Sequence, residues 1–164
     1  MKYGEISSID LLQNSKSNIF RKVLVIGYGN TLRSDDGAGQ IVANEVAKWG
    51  WANVRSLCVH QLTPELAEEI ACASTVIFVD ASLSNSETLQ VKRLTLQTTA
   101  ISLGHLGEPR SLLFLTQAIY GKIPPAYWIL IRAVNFEFGE KLSSITKCAV
   151  IAALEEIKRL SRVC

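Results

Sequence analysis

Five short apolar runs mark the chain, and the segments after four of them carry apolar residues at helical spacing. The first run, "KVLVIG" (22–27), is continuous and bounded by glycine, as expected of a strand buried on both faces. After it, Ala38, Val42, Val46 and Trp49 fall on one face and Gln40, Asn44 and Lys48 on another, which predicts an amphipathic helix over about 36–49. "NVRSLCVHQ" (53–61) is a second strand. Thr63, Pro64 and Glu65 then form a helix start: a capping hydroxyl, a proline suited to the first turn, and an acid at the positive end of the dipole. That helix is expected to end near Ala73.

"TVIFVDAS" (75–82) is a third buried strand, whereas "TLQVKRLT" (88–95) alternates and is expected at the sheet periphery. Leu112, Leu115 and Ile119 predict a helix over 109–120 that stops at Gly121. "AYWILIRAV" (126–134) is the fifth strand. A last helix, about 143–162, turns Ile145, Ala149, Ala152, Ile157 and Leu160 inward. The order of strands and helices predicts an α/β fold: a mainly parallel central sheet with helices on both faces. Residues 1–20 are rich in Ser and Asn and lack apolar periodicity. They are read as a loose arm, leaving 21–164 as a single domain.

Composition narrows the class. The chain has 164 residues, 48% hydrophobic and 20% charged, which suits one globular domain. The formal net charge of +2 without a long Lys/Arg run does not demand a nucleic-acid partner. Lys158, Arg159 and Arg162 read as a solvated helix face. No apolar stretch reaches the roughly 18 residues of a membrane span, and the first residues have no secretory h-region. Neither membrane insertion nor secretion is expected, and the cytoplasm is the expected location. Cys58, Cys72, Cys148 and Cys164 form no CxxC pair and are expected as reduced, mostly buried thiols, with the terminal Cys164 a candidate for exposure.

The candidate chemistry lies where α/β sheets place their sites, beyond the carboxyl ends of strands. "GYGNTLRSDDGAG" (27–39) begins like a dinucleotide loop, but Leu32 stands where the third glycine belongs. Asp35 and Asp36 follow, and two carboxylates repel a pyrophosphate. They suit a cation or a proton transfer. Asp80 ends the third strand, where an aspartate can also be a simple turn cap. His105 lies in the "SLGHLGEP" loop, and His60 and Gln61 end the second strand. Asp36, Asp80 and His105 together make a ligand set for a first-row divalent metal.

"VLVIGYGNTLRSDDGAG", "VIFVDAS" and the later "GH" resemble the maturation endopeptidases of nickel–iron hydrogenases, from about Lys22 to the final helix. The resemblance implies a twisted five-stranded sheet sandwiched by helices, a three-layer arrangement. It also implies an aspartic-type endopeptidase that removes the C-terminal extension of the [NiFe] hydrogenase large-subunit precursor. The family's metal-contacting triad corresponds to Asp36, Asp80 and His105, with Asp36 and Asp80 also the acids of catalysis. Some members have Glu at the first position, where this chain has the shorter Asp; Asp35 is the second choice. Gly27, Gly29 and Asn30 correspond to the structural loop. The segment His60, Gln61, Leu62, Thr63, Pro64 and Glu65 is similar to that of the protease serving the bidirectional, NAD(P)-linked hydrogenase of cyanobacterial type. It is the expected substrate-recognition element. A Thr-Pro helix start beside a packing histidine is its structural alternative.

The implied substrate already carries nickel, so no permanently bound cofactor is expected: Asp36, Asp80 and His105 would test the metal that the precursor presents. The pepsin-type paired Asp-Thr-Gly signature is lacking, and no GxSxG elbow is present. Two other readings stand beside this one. "GYGN" also resembles peptidyl-tRNA hydrolases, which carry His-Asn where this chain has Asp35-Asp36. A non-catalytic, metal-sensing chaperone would bind the same precursor without shortening it.

Overall fold

The computed structural model describes residues 22–84, 86–96 and 107–163. The arm assigned to 1–20, His105 and Cys164 lie outside these residues. The strands are β1 (Val23–Tyr28), β2 (Val54–Val59), β3 (Thr75–Ser82), β4 (Leu89–Leu94) and β5 (Ala126–Arg132). They form one sheet in the order β2-β1-β3-β5-β4. Every pairing is parallel except that of β4 with β5, which is antiparallel. The alternating run therefore does form a peripheral strand, and the mainly parallel α/β reading holds.

The helices are α1 (Ala38–Ala47), α2 (Leu66–Ala71), α3 (Pro109–Tyr120) and α4 (Ser144–Val163), with a single 3-10 turn over Ser34–Gly37 ahead of α1. Alternate residues of the central strands feed two cores. Val23, Val25, Ile77, Val79, Ile129 and Ile131 pack on α1 and α4. Leu24, Ile26, Val76, Phe78 and Ala126 pack on α2 and α3. Sheet and helices thus form three layers, the outcome of strands that are apolar on both faces. Among the described residues no helix is long and apolar enough to cross a membrane.

Several sequence-based expectations are corrected. The second helix begins at Leu66, and Thr63 enters the turn before it through its backbone: its carbonyl accepts the Leu66 N–H at 3.1 Å. Ile145 and Ile119 are exposed, at 44% and 60%. Thr146 and Thr116 are buried instead, each giving its hydroxyl to a backbone carbonyl, of Arg132 and Leu112 respectively. A buried hydroxyl with a local acceptor can replace a branched aliphatic residue at the helix–sheet contact. The thiols of Cys58, Cys72 and Cys148 are free but exposed, contrary to the buried placement expected.

Candidate functional site

The loop after β1 owes its path to close backbone approaches. A Cβ on Gly27 would run into the Gly39 carbonyl, so β1 and the first turn of α1 touch main chain to main chain. Gly39 takes the close-packing part that the third glycine plays in a dinucleotide loop, several residues later than in that motif. Gly29 has φ +131°, and a Cβ there would meet the Asp36 carbonyl. The glycines bring the chain back on itself, so that Asp36 Oδ2 accepts the Asn30 N–H at 3.1 Å. The Asn30 side chain closes the turn by accepting the Leu32 N–H at 2.9 Å. Gln40 donates to the Gly29 carbonyl from α1 and accepts from the Cys58 thiol of β2.

The two adjacent acids do different things. Asp35 is fully buried. Its Oδ2 accepts the N–H groups of Val134 and Asn135, both at 3.0 Å, and the Ser143 hydroxyl at 2.9 Å; its Oδ1 accepts the Ser143 N–H at 2.7 Å. Burial pushes this carboxyl up, but the hydrogen bonds from Val134 and Ser143 outweigh it and hold it below the ordinary carboxylate range. Asp35 is an internal strut between the acid loop and the segment after β5. Its neighbour Ser34 has φ +50°, held by its N–H donating to the Gly139 carbonyl at 2.6 Å and its hydroxyl donating to the Glu137 carbonyl at 3.0 Å. Such a φ is strained for a residue with a Cβ and persists where surrounding bonds fix it. Asp36 is half-buried, and among the described residues no donor reaches its Oδ1.

Asp80 lies in the last stretch of β3, one strand over. Its Oδ1 accepts the Ala81 N–H at 2.8 Å. Burial raises its carboxyl to about 6; the Tyr28 phenol and the Ala81 N–H oppose the rise and the Asp36 charge adds to it. The last effect shows that the Asp36 charge is felt at Asp80. Beside Asp80 on the α2–α3 face stand Tyr28 of β1 and Trp128 of β5. A carboxyl that titrates near neutrality, next to a second acid and at the carboxyl ends of parallel strands, can accept a proton or share a cation.

Leu62 is buried in the second core, while His60, Gln61, Pro64 and Glu65 are exposed and Thr63 half-buried. The segment joins the acid loop through the Gly29 N–H, which donates to the His60 carbonyl at 3.2 Å. Residues 60–65 and the acid loop thus share one end of the sheet. Leu32, Leu83, Val134 and Phe138 are exposed on loops leaving that end, Phe138 at 88%. Among the described residues no group of three or more His, Cys, Asp or Glu is placed to hold an ion, and the third member of the expected triad, His105, falls outside them. Sequence reasoning missed Ser143 and the backbone of Val134 and Asn135, which lie about a hundred positions from Asp35. It also missed Tyr28 and Trp128, which read as ordinary strand aromatics.

No protein-family model matches the chain, and no curated protein matches it. Solved structures do. The hydrogenase maturating endopeptidase HybD from E. coli superposes with a TM-score of 0.72 at 22% identity, over 86% of this chain and 92% of that one. The [NiFe] hydrogenase maturation protease HybD from Thermococcus kodakarensis gives 0.69 at 25% identity, over 85% and 99%. The maturation protease HycI from Thermococcus kodakarensis KOD1 gives 0.67 at 21% identity, over 93% and 99%. The chain shares the fold of these proteases across nearly their full length.

Proposed function

We propose that this chain is an endopeptidase of hydrogenase maturation, which removes the C-terminal extension from the nickel-loaded large-subunit precursor of a [NiFe] hydrogenase. The observation that carries the proposal is the match to HybD from Thermococcus kodakarensis over 99% of that protein, with Asp36 and Asp80 converging at one end of the sheet. The nickel belongs to the substrate. Asp36 presents a carboxylate oxygen that no donor among the described residues reaches, Asp80 a second acid, and His105 supplies an imidazole as the third contact. Carboxylate and imidazole donors suit nickel, so a metal-loaded precursor docks in preference to an empty one.

Cleavage is of the aspartic type: one acid accepts a proton from water as its oxygen attacks the peptide carbonyl, and the proton passes to the leaving amine. His60 to Glu65 read the cognate large subunit, that of a bidirectional NAD(P)-linked hydrogenase of cyanobacterial type. The reaction takes place in the cytoplasm. The test is incubation with nickel-loaded precursor followed by intact-mass measurement. Loss of one C-terminal peptide is expected, with none from Asp36→Asn, Asp80→Asn or His105→Ala. A precursor bound but left at full length would instead identify a chaperone.

A further inference from the structure

Tyr28 is 8% exposed, and among the described residues its hydroxyl is a fully buried polar atom without a close hydrogen bond. The indole N–H of Trp128 is in the same condition. A buried polar group without a partner destabilises a fold by roughly 1–3 kcal/mol, and such groups call for an explanation. Two of them stand together here. Tyr28 and Asp80 follow the register pair Gly27–Val79, and Trp128 is the β5 partner of Phe78, two residues before Asp80. All three side chains lie on the sheet face that carries Leu24, Ile26 and Phe78.

The three groups feel one another. The Asp80 charge acts on the phenol, and the indole and the phenol act on each other. The phenol of a tyrosine carries its proton at neutral pH and can donate it in a hydrogen bond. The chemistry allows one direction only. Indole N–H only donates, a phenol accepts one bond and donates another, and a carboxylate accepts. Asp80 Oδ1 already takes the Ala81 N–H, which leaves its other oxygen for the phenol. Lys92, on the edge strand, sits 5.7 Å from the Trp128 ring centroid and steadies the indole from the outer side. The Glu108 charge at the start of α3 also acts on Tyr28. A phenylalanine at position 28 would fill the same space without a buried hydroxyl, so packing alone does not account for tyrosine.

We propose that Tyr28 and Trp128 are positioning residues for Asp80, forming a relay in which the indole N–H donates to the phenol oxygen and the phenol O–H donates to the carboxylate. The relay is slack in the free chain and tightens when Asp80 engages the precursor, as hydrogen bonds of active sites commonly do on substrate binding. The functional half of this inference rests on the endopeptidase reading; the relay itself does not.

The test uses the full chain and its Tyr28→Phe, Trp128→Phe and double variants on nickel-loaded precursor. Tyr28→Phe is expected to lower the maximal cleavage rate about tenfold with KM nearly unchanged, and Trp128→Phe by a smaller factor. The double variant is expected to be no slower than Tyr28→Phe, because the two act in series. An unchanged rate in Tyr28→Phe, or a multiplicative loss in the double variant, overturns the proposal. The second readout is the Trp128 indole N–H resonance, assigned among three tryptophans by its disappearance in Trp128→Phe. It should move in both Tyr28→Phe and Asp80→Asn; a resonance that stays put in both overturns the relay. If the unsubstituted chain cuts no precursor, the endopeptidase reading fails, and the indole resonance still decides whether the relay exists.

Discussion

Among the described residues the Asp35 carboxylate accepts four hydrogen bonds, whereas that of Asp36 accepts one. The first acid therefore holds the loop, and the second is available to a ligand. Asp80 differs from both because burial works against its charge. Its folded value of about 6 lies above the 3.8 of an ordinary aspartate. Between those values the folded chain keeps a proton that the unfolded chain has lost. Stability therefore falls as pH rises through this window and is at its lowest, as far as Asp80 is concerned, above about 6. Asp80→Asn removes the charge and can retain the bond from the Ala81 N–H. It should be more stable than the parent chain at pH 8 by roughly 1–3 kcal/mol, with the difference shrinking towards zero by about pH 4. Urea unfolding at the two pH values checks this, and a less stable variant at pH 8 would refute the burial account.

Among the elements, the contact of β1 with α1 matters most for the site, because it sets where Asp36 emerges. A Cβ on Gly39 would strike the carbonyl oxygens of both Tyr28 and Val79. Backbone atoms in the sheet cannot move aside as a flexible side chain can. Gly39→Ala is therefore expected to destabilise the fold by roughly 1–3 kcal/mol or more. A lowered urea midpoint with an unchanged slope is the expected sign, and an unaltered midpoint would show that the helix can lift off β1 freely. At this scale the sequence was most readable. Each of the five runs became a strand: β1 and β3, buried on both faces, are continuous in apolar residues, and the alternating run became the edge strand β4. Helix faces were read less well where polar side chains intervened. Ser143 and Thr146 bond to each other at the head of α4 and to Asp35 and Arg132, which puts Thr146 rather than Ile145 inward. No local pattern announces such partners, since Asp35 and Ser143 are 108 positions apart. The same holds for the orphan donors of Tyr28 and Trp128, whose side chains follow the periodicity of core aromatics.

For the whole molecule, strand order fixes the place of the chemistry. The chain runs from β1 outward to β2, then crosses back to lay β3 on the other side of β1. The connections diverge between β1 and β3, and such a switch point opens a crevice at the carboxyl ends of the strands. Asp36 follows β1 and Asp80 lies in the last stretch of β3, so the fold brings to one end of the sheet two acids separated by more than forty positions. Two carboxylates, even with the imidazole of His105, provide a partial shell for a first-row divalent ion. On the endopeptidase reading proposed above, a precursor that carries nickel would bring the other ligands, and tight binding would require both proteins. The isolated chain, loaded with a nickel salt and dialysed, should therefore retain well under one nickel per chain by elemental analysis, whereas its complex with the precursor keeps the metal. Stoichiometric nickel on the dialysed chain alone would make the metal a resident cofactor and remove the checkpoint from the mechanism. On that reading, the expected outcome would make this end of the sheet a test of the precursor, its acids holding the large subunit through a metal that only a correctly loaded partner presents.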